Sequence, residues 1–288
     1  MHESAPAGPP QGRPPRALRK PAPAVRPGVS RGARRKGNGQ SMAAVQELYE
    51  ELARIAPPAL AADWDNPGLL VDAGTAVQGV LVTLDITHDT VAEARRTGCQ
   101  LIVSHHPVIF SPLKRLEERD VAFALVQSGV SAICMHTNLD AAAGGVNEVL
   151  AGLFGIGDAV PFAGGCGRVG TVAPTTVPAL AARCRTVLGA HVKYADAGRP
   201  VQRLAVISGA GGSLFADALA VGADCLLTGE AGHHAALDAR RLGLGLIAAG
   251  HFATEQPIVP VLAAQLQAAF PALRVRCSDC GRDPFTYL

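Results

Sequence analysis

Two stretches of this chain repeat one pattern at one spacing, and that repeat limits the folds open to it. "GVLVTLD", starting at Gly79, is a short apolar run of the kind buried in a parallel sheet. "THDTVAEARRTG" follows as a helix, with Thr87 as N-cap and Gly98 as its stop. The strand "LIVS", the helix "DVAFALVQSG" and the strand "SAICM" complete the unit. The second half runs in the same order through "RLAVISG", "GSLFADALAVG", "DCLLTG", "HHAALDARRLG" and "LGLIAAG". Val80 to Gly98 is 18 residues, as is Leu204 to Gly222; Val80 to Leu101 is 21, as is Leu204 to Cys225. The two βαβαβ units are thus offset by 204 − 80 = 124 residues. This predicts an α/β protein of two similar lobes, with largely parallel, helix-covered sheets and strand ends as the place for ligands.

The lobes are expected over 42–157 and 158–288, together one domain opened by the helix "VQELYEELARIA". The Gly- and Pro-rich "GIGDAVPFAGGCGRVGTVAPTTV" between them has little periodicity and is expected to be a crossover. Residues 1–41 differ in kind. They hold nine Arg and Lys, one acid and eight prolines, so they carry +8 while the rest carries −6. Such a segment cannot bury enough apolar surface to offset its ordering entropy, and disorder is expected. It is a solvated extension, a stretch upstream of a start at Met42, or an arm for nucleic acid or another acidic partner. A nucleic-acid role would rest on this tail alone, because the body is acidic and aromatic content is 4%.

No signal-like segment or long apolar run points to secretion or a membrane span. The seven cysteines accordingly read as reduced in a cytoplasmic setting, and most lie in apolar contexts. Cys277-x-x-Cys280 is the exception, but it lacks the second pair that a structural zinc site uses.

The polar residues beyond the strands carry the chemistry. "LIVS" leads into His105 and His106, with Pro107 ending the strand. "SAICM" leads to His136, Thr137, Asn138 and Asp140; "DCLLTG" to Glu230, His233 and His234; "LGLIAAG" to His251 and Glu255. Six of the nine histidines fall at these ends. Imidazoles and carboxylates converging from separate segments are ligands for Zn, Mn, Fe or Co, and this many donors suggests two divalent ions. His251 and Glu255 lie one helical turn apart on one face. The adjacent His105 and His106 suit two neighbouring ions better than one. In "SGAGGSLFADA", Gly209, Gly211, Gly212 and Ser213 precede a helix and could present N–H groups to an anion, although a plain tight turn explains them too.

"WDNPGLLV", "LDIT", "LIVSHHPVIF", "MHTNLDAAAGGVNEVLA", "LLTGEAGHHAALDA" and "AAGHFATE" resemble, in order, the blocks of the NGG-one-interacting-factor-three-like family. Its bacterial members are labelled GTP cyclohydrolase I type 2 homologues or dinuclear metal centre proteins. The resemblance runs from about Val45 to the terminal "DPFTYL". It implies a three-layer α/β/α fold with a metal cleft between the lobes and a homohexamer. It also implies the ligands His105, His106, Asp140, His251 and Glu255. Glu255 would bridge, with His106 and Asp140 on one ion and His105 and His251 on the other. Three departures stand out: Phe252 replaces a second histidine, Pro67 replaces a small apolar residue, and residues 155–200 are too few for an inserted domain.

The expected function is a metal-dependent hydrolase acting on a small molecule such as GTP or another phosphorylated compound. His136 is the candidate general acid/base, with His234 and Glu230 as further candidates. The alternative is a non-catalytic metal-binding or regulatory protein, whose site its ligands would close.

Overall fold

The computed structural model describes residues 42–288, so the basic, Pro-rich segment 1–41 lies outside the described residues. The first lobe contains α1 (Val45–Ile55), β1 (Gly68–Val71), β2 (Gly79–Thr83), α2 (His88–Thr97), β3 (Leu101–Ser104), α3 (Val121–Ser128), β4 (Ser131–Cys134), α4 (Thr137–Ala141) and α5 (Val146–Leu153). The chain then forms β5 (Val160–Phe162), β6 (Gly167–Thr175), α6 (Val177–Leu188), β7 (Lys193–Ala195), β8 (Val201–Ile207), α7 (Phe215–Ala220), β9 (Cys225–Thr228), α8 (His233–Arg241) and β10 (Gly245–Ala248). It ends with α9 (His251–Glu255), α10 (Ile258–Ala269) and β11 (Arg274–Cys277).

The duplication is real in the backbone. Val80 pairs with Leu101 in one sheet and Leu204 with Cys225 in the other, both parallel. Successive residues of each buried strand supply opposite faces. Val80, Leu101 and Ile133 pack toward α1 and α10, while Leu81, Ile102 and Ala132 pack toward α2 and α3. In the second lobe Leu204, Leu227 and Ile247 face α5 and α6, and Ala205, Leu226 and Leu246 face α7 and α8. Each lobe is therefore a sheet with helices on both faces.

The first sheet has the order β1-β4-β3-β2-β11 and is parallel except for β1. The second, β5-β6-β8-β9-β10-β7, is parallel only at its centre, because β5, β6 and β7 all join antiparallel. The expectation of largely parallel sheets is thus corrected for the second lobe. The segment expected to be a crossover forms β5 and the nine-residue β6, and the short β7 adds the third antiparallel strand. The glycines of β6 are packing sites. A Cβ at Gly167 would lie 2.4 Å from the Phe162 ring, and one at Gly170 2.5 Å from Ile156.

The end of the chain also departs from the simple division at 158. Helix α10 buries Ile258, Val259, Leu262 and Leu266 in the first lobe's core, and β11 pairs with β2. This return ties the lobes together, and it leaves α9 at the junction with Glu255 buried.

Candidate metal centre

The ends of β3, β4 and β10 meet at the junction of the lobes. Beyond β3 the backbone continues beside β2, with the His105 and His106 N–H groups donating to the Thr83 and Leu84 carbonyls. His105 is 1% exposed, and its Nδ1 donates to the Met135 carbonyl at 2.9 Å. That bond fixes the tautomer and leaves the Nε2 lone pair facing inward. His106 Nδ1 lies 2.8 Å from Asp85 Oδ1, and His136 Nδ1 lies 2.7 Å from Asp65 Oδ1. All three rings are held by the same nitrogen and present the other.

Glu255 is the carboxylate that His105, His106 and His251 share. Its Oε1 is 3.8 Å from His105 Nε2, and its Oε2 is 3.1 Å from His106 Nε2 and 3.2 Å from His251 Nε2. Asp140 Oδ1 approaches His105 Nε2 at 3.7 Å, and Glu230 Oε2 lies 3.3 Å from His251 Nδ1. Two groups of donor atoms lie within 4.8 Å of one another: His105, His106 and His136, and His106, His251 and Glu255.

These residues fit a metal. His105 Nε2 is buried without a hydrogen-bond partner, a costly arrangement unless something else satisfies it. The four donor–donor distances around Glu255 and His105 are below about 4.2 Å, twice a metal–nitrogen bond of about 2.1 Å. The two clusters are consistent with two divalent ions per chain.

The donor distances fall into two sets. His105 groups with Asp140 and Glu255 Oε1, whereas His106 groups with His251 and Glu255 Oε2. Glu255 presents one oxygen to each set. The ring centroids of His105 and His106 are 4.9 Å apart, tilted by 49°, so each ring faces a different carboxylate oxygen.

The electrostatics follow from the crowding. Burial works to raise the Glu255 carboxyl, but His105, His106 and His251 hold it well below the usual range. Burial disfavours the charged form of His106, yet Asp85 and Glu255 lift its pKa to about 10. Contact with Glu255 outweighs burial at His251, lifting it to about 9. Burial raises Asp140 to about 6, and burial pushes His136 below the ordinary histidine value.

A cavity of about 1010 Å³ opens at His106 and His251, with Glu230, Phe252, Ser213 and Lys193 on its wall. The C-terminal segment reaches it after β11, and Tyr287 stacks on His191 with centroids 4.1 Å apart.

Among the anion-site candidates, Ser213 lines this cavity. The Gly209 and Gly212 N–H groups are already spent on Thr254 Oγ1 and the Glu230 carbonyl. Gly211 packs against Ile207, leaving no room for a Cβ. His234 is exposed at the start of α8 and does not line the cavity. His136 joins the donor cluster more closely than a role beside the ligands required. Cys277 and Cys280 join neither metal cluster among the described residues.

Sequence reasoning missed Asp65 and Asp85, which orient His136 and His106. Asp85 stands just beyond β2, a parallel strand end like those that carry the histidines, and that position was the available signal.

The fold and site define a class: a two-lobed α/β protein with a dinuclear histidine–carboxylate metal centre between its sheets. Comparison places it more closely. Residues 43–284 match the family model described as Duf34/NIF3 (NGG1p interacting factor 3), and the chain belongs to that family. It is 29% identical over 263 residues to a Clostridium acetobutylicum protein named GTP cyclohydrolase 1 type 2 homolog, covering 84% of this chain and 98% of that one. A Streptomyces coelicolor protein of the same name is 33% identical over 269 residues, covering 85% and 94%. The crystal structure of Staphylococcus aureus protein SA1388 superposes with a TM-score of 0.77 at 27% identity, covering 84% of this chain and 98% of that one.

Proposed function

We propose that this protein is a metal-dependent hydrolase of a nucleotide or another phosphorylated small molecule. One observation carries the reading: the orphaned His105 Nε2 belongs to a donor cluster that opens onto a large cavity through His106 and His251. A storage site would be closed by its ligands, whereas this one adjoins space for a substrate.

His105, Asp140 and Glu255 would hold one ion, and His106, His251 and Glu255 the other. Ions held there supply Lewis acidity and lower the pKa of water. The chain's own groups do the rest. Lys193 offers a cation to a phosphate, Glu230 keeps His251 oriented, and His136 stands by to accept a proton. The relatives' names make GTP the first substrate to try. Assembly of six copies belongs to the same proposal, with exposed Tyr194, Leu237 and Leu242 as apolar surface for it.

The test begins with elemental analysis, then turnover of GTP and simple phosphoesters by wild type and Glu255→Gln. Turnover lost in the variant supports the hydrolase. Two ions per chain with no turnover of either substrate class would favour metal binding or regulation instead.

A further inference from the structure

The motif "WDN" at 64–66 has no part in ligand binding as described, yet it is built into the centre. Asp65 has a fully buried carboxylate, and both oxygens are spoken for. Oδ1 accepts from His136 Nδ1 at 2.7 Å and from the Asn66 N–H at 2.7 Å. Oδ2 accepts from the Thr137 N–H at 3.0 Å and from the Thr137 hydroxyl. The carboxylate thus grips the start of α4 from 71 residues away and cannot turn toward the metal ligands itself.

The flanking residues shelter the same imidazole. Trp64 meets His136 edge-on with centroids 6.2 Å apart, and Phe110 does so at 6.4 Å. Asn66 Nδ2 donates to the Ile109 carbonyl at 2.6 Å, fixing the loop that carries Phe110. The His136 side chain is 16% exposed, and a ring nitrogen of it lies within 4.8 Å of ligand atoms of His105 and His106.

With the ions held by the five residues proposed above, His136 keeps one ring nitrogen tied to Asp65 and the other open within the His105–His106 donor cluster. We infer that Asp65 is a positioning residue that locks His136 in the Nδ1–H tautomer, so that Nε2 serves as the proton acceptor at the metal centre. This rests on the hydrolase reading. As the water oxygen bonds to the substrate's phosphorus or carbonyl carbon, its O–H bond breaks and the proton passes to Nε2. The Nε2 proton is then returned to the departing group. Asp65 stays ionised throughout and stabilises the imidazolium, as the buried carboxylate does in a catalytic triad.

The test uses the full chain, ¹⁵N-labelled and supplied with zinc. Nitrogen–proton spectra should show His136 as the Nδ1–H tautomer, and Asp65→Asn should abolish that preference. With GTP or a phosphoester, Asp65→Asn should lower kcat by roughly 10²–10⁴-fold while KM and metal content hold. The Asp65→Asn, His136→Ala double variant should be no slower than the slower single, because the pair acts as a unit. An Nε2–H tautomer in the wild type overturns the inference, and that measurement stands even if Asp65→Asn does not fold. Loss of an ion in His136→Ala also overturns it, making His136 a ligand. Failure of the metal-loaded wild type to turn over any substrate overturns the hydrolase reading, while the tautomer still decides whether Asp65 positions His136.

Discussion

A Cβ at Gly209 would lie 2.3 Å from Glu255 Oε1, so the glycine backbone forms one wall of the bridging carboxylate's site. Gly209 also has φ +58°, a left-handed conformation that L side chains adopt at a cost. Gly209→Ala should therefore lose about 1–2 kcal/mol of stability and displace Glu255. Elemental analysis should find fewer ions per chain than in the wild type. A variant with full metal content and an unchanged Tm would remove the argument.

The donor distances predict which residues share an ion. Asp140→Asn and His105→Ala should each cost the same ion, so that their combination loses no more than either alone. His106→Ala and His251→Ala should behave as a second such set, and Glu255→Ala should deplete both ions. Anomalous diffraction from crystals of the single variants reads this directly. Loss of one ion from the joint removal of His105 and His251 would restore the pairing expected from the sequence.

In chelator-treated protein, His106 and His251 carry protons to about pH 10 and about pH 9. The unfolded chain releases them near 6.5. Folded values above the unfolded value mean that this contribution to stability is fully present below about pH 6.5 and fades as pH rises through 9 to 10. Metal must displace both protons, so binding near pH 7.5 should release about two of them per chain. Calorimetry in buffers of different ionisation enthalpy measures the number, and a release of zero contradicts the protonated pair.

Glu93 anchors the C-terminal segment that reaches the cavity. Its 1%-exposed side chain accepts from the Ser278 hydroxyl and from the Asp279 and Cys280 N–H groups. Glu93→Ala leaves those donors without their partner and should cost about 1–3 kcal/mol. Hydrogen exchange should rise at residues 279–287, and protection equal to wild type would show another anchor.

Trp64 is the only tryptophan in the chain, and its ring stands 6.2 Å from His136. Titrating the metal-free protein with Co²⁺ should quench its emission in step with metal uptake. Emission unmoved at full loading would place the ions away from His136.

Much of this was legible in the residues. The parallel heart of each lobe was visible because a strand buried on both faces must be apolar throughout, and two such units shared one register, later seen as the Val80–Leu101 and Leu204–Cys225 pairs. The candidate donors were visible because His105, His106, Asp140, His251 and Glu255 all follow strands, and the fold brings them together. Strand β6 was hidden by its own glycines, which are the mark of close packing rather than of a turn. The return of α10 and β11 to the first sheet was hidden because an apolar helix does not state which of two equivalent cores it will fill.

The sequence by itself determined the local chemistry: which segments could be buried, where each strand ended, and which donor types stood beyond it. Only the tertiary structure decided how those donors combine. Asp65 meets His136 across 71 residues and Asp85 meets His106 across 21, and the adjacent His105 and His106 divide the two oxygens of Glu255 between them. Those choices depend on side-chain direction and on the way the lobes join. Strand periodicity fixes the face on which a side chain emerges, while the partner it meets there is fixed by packing.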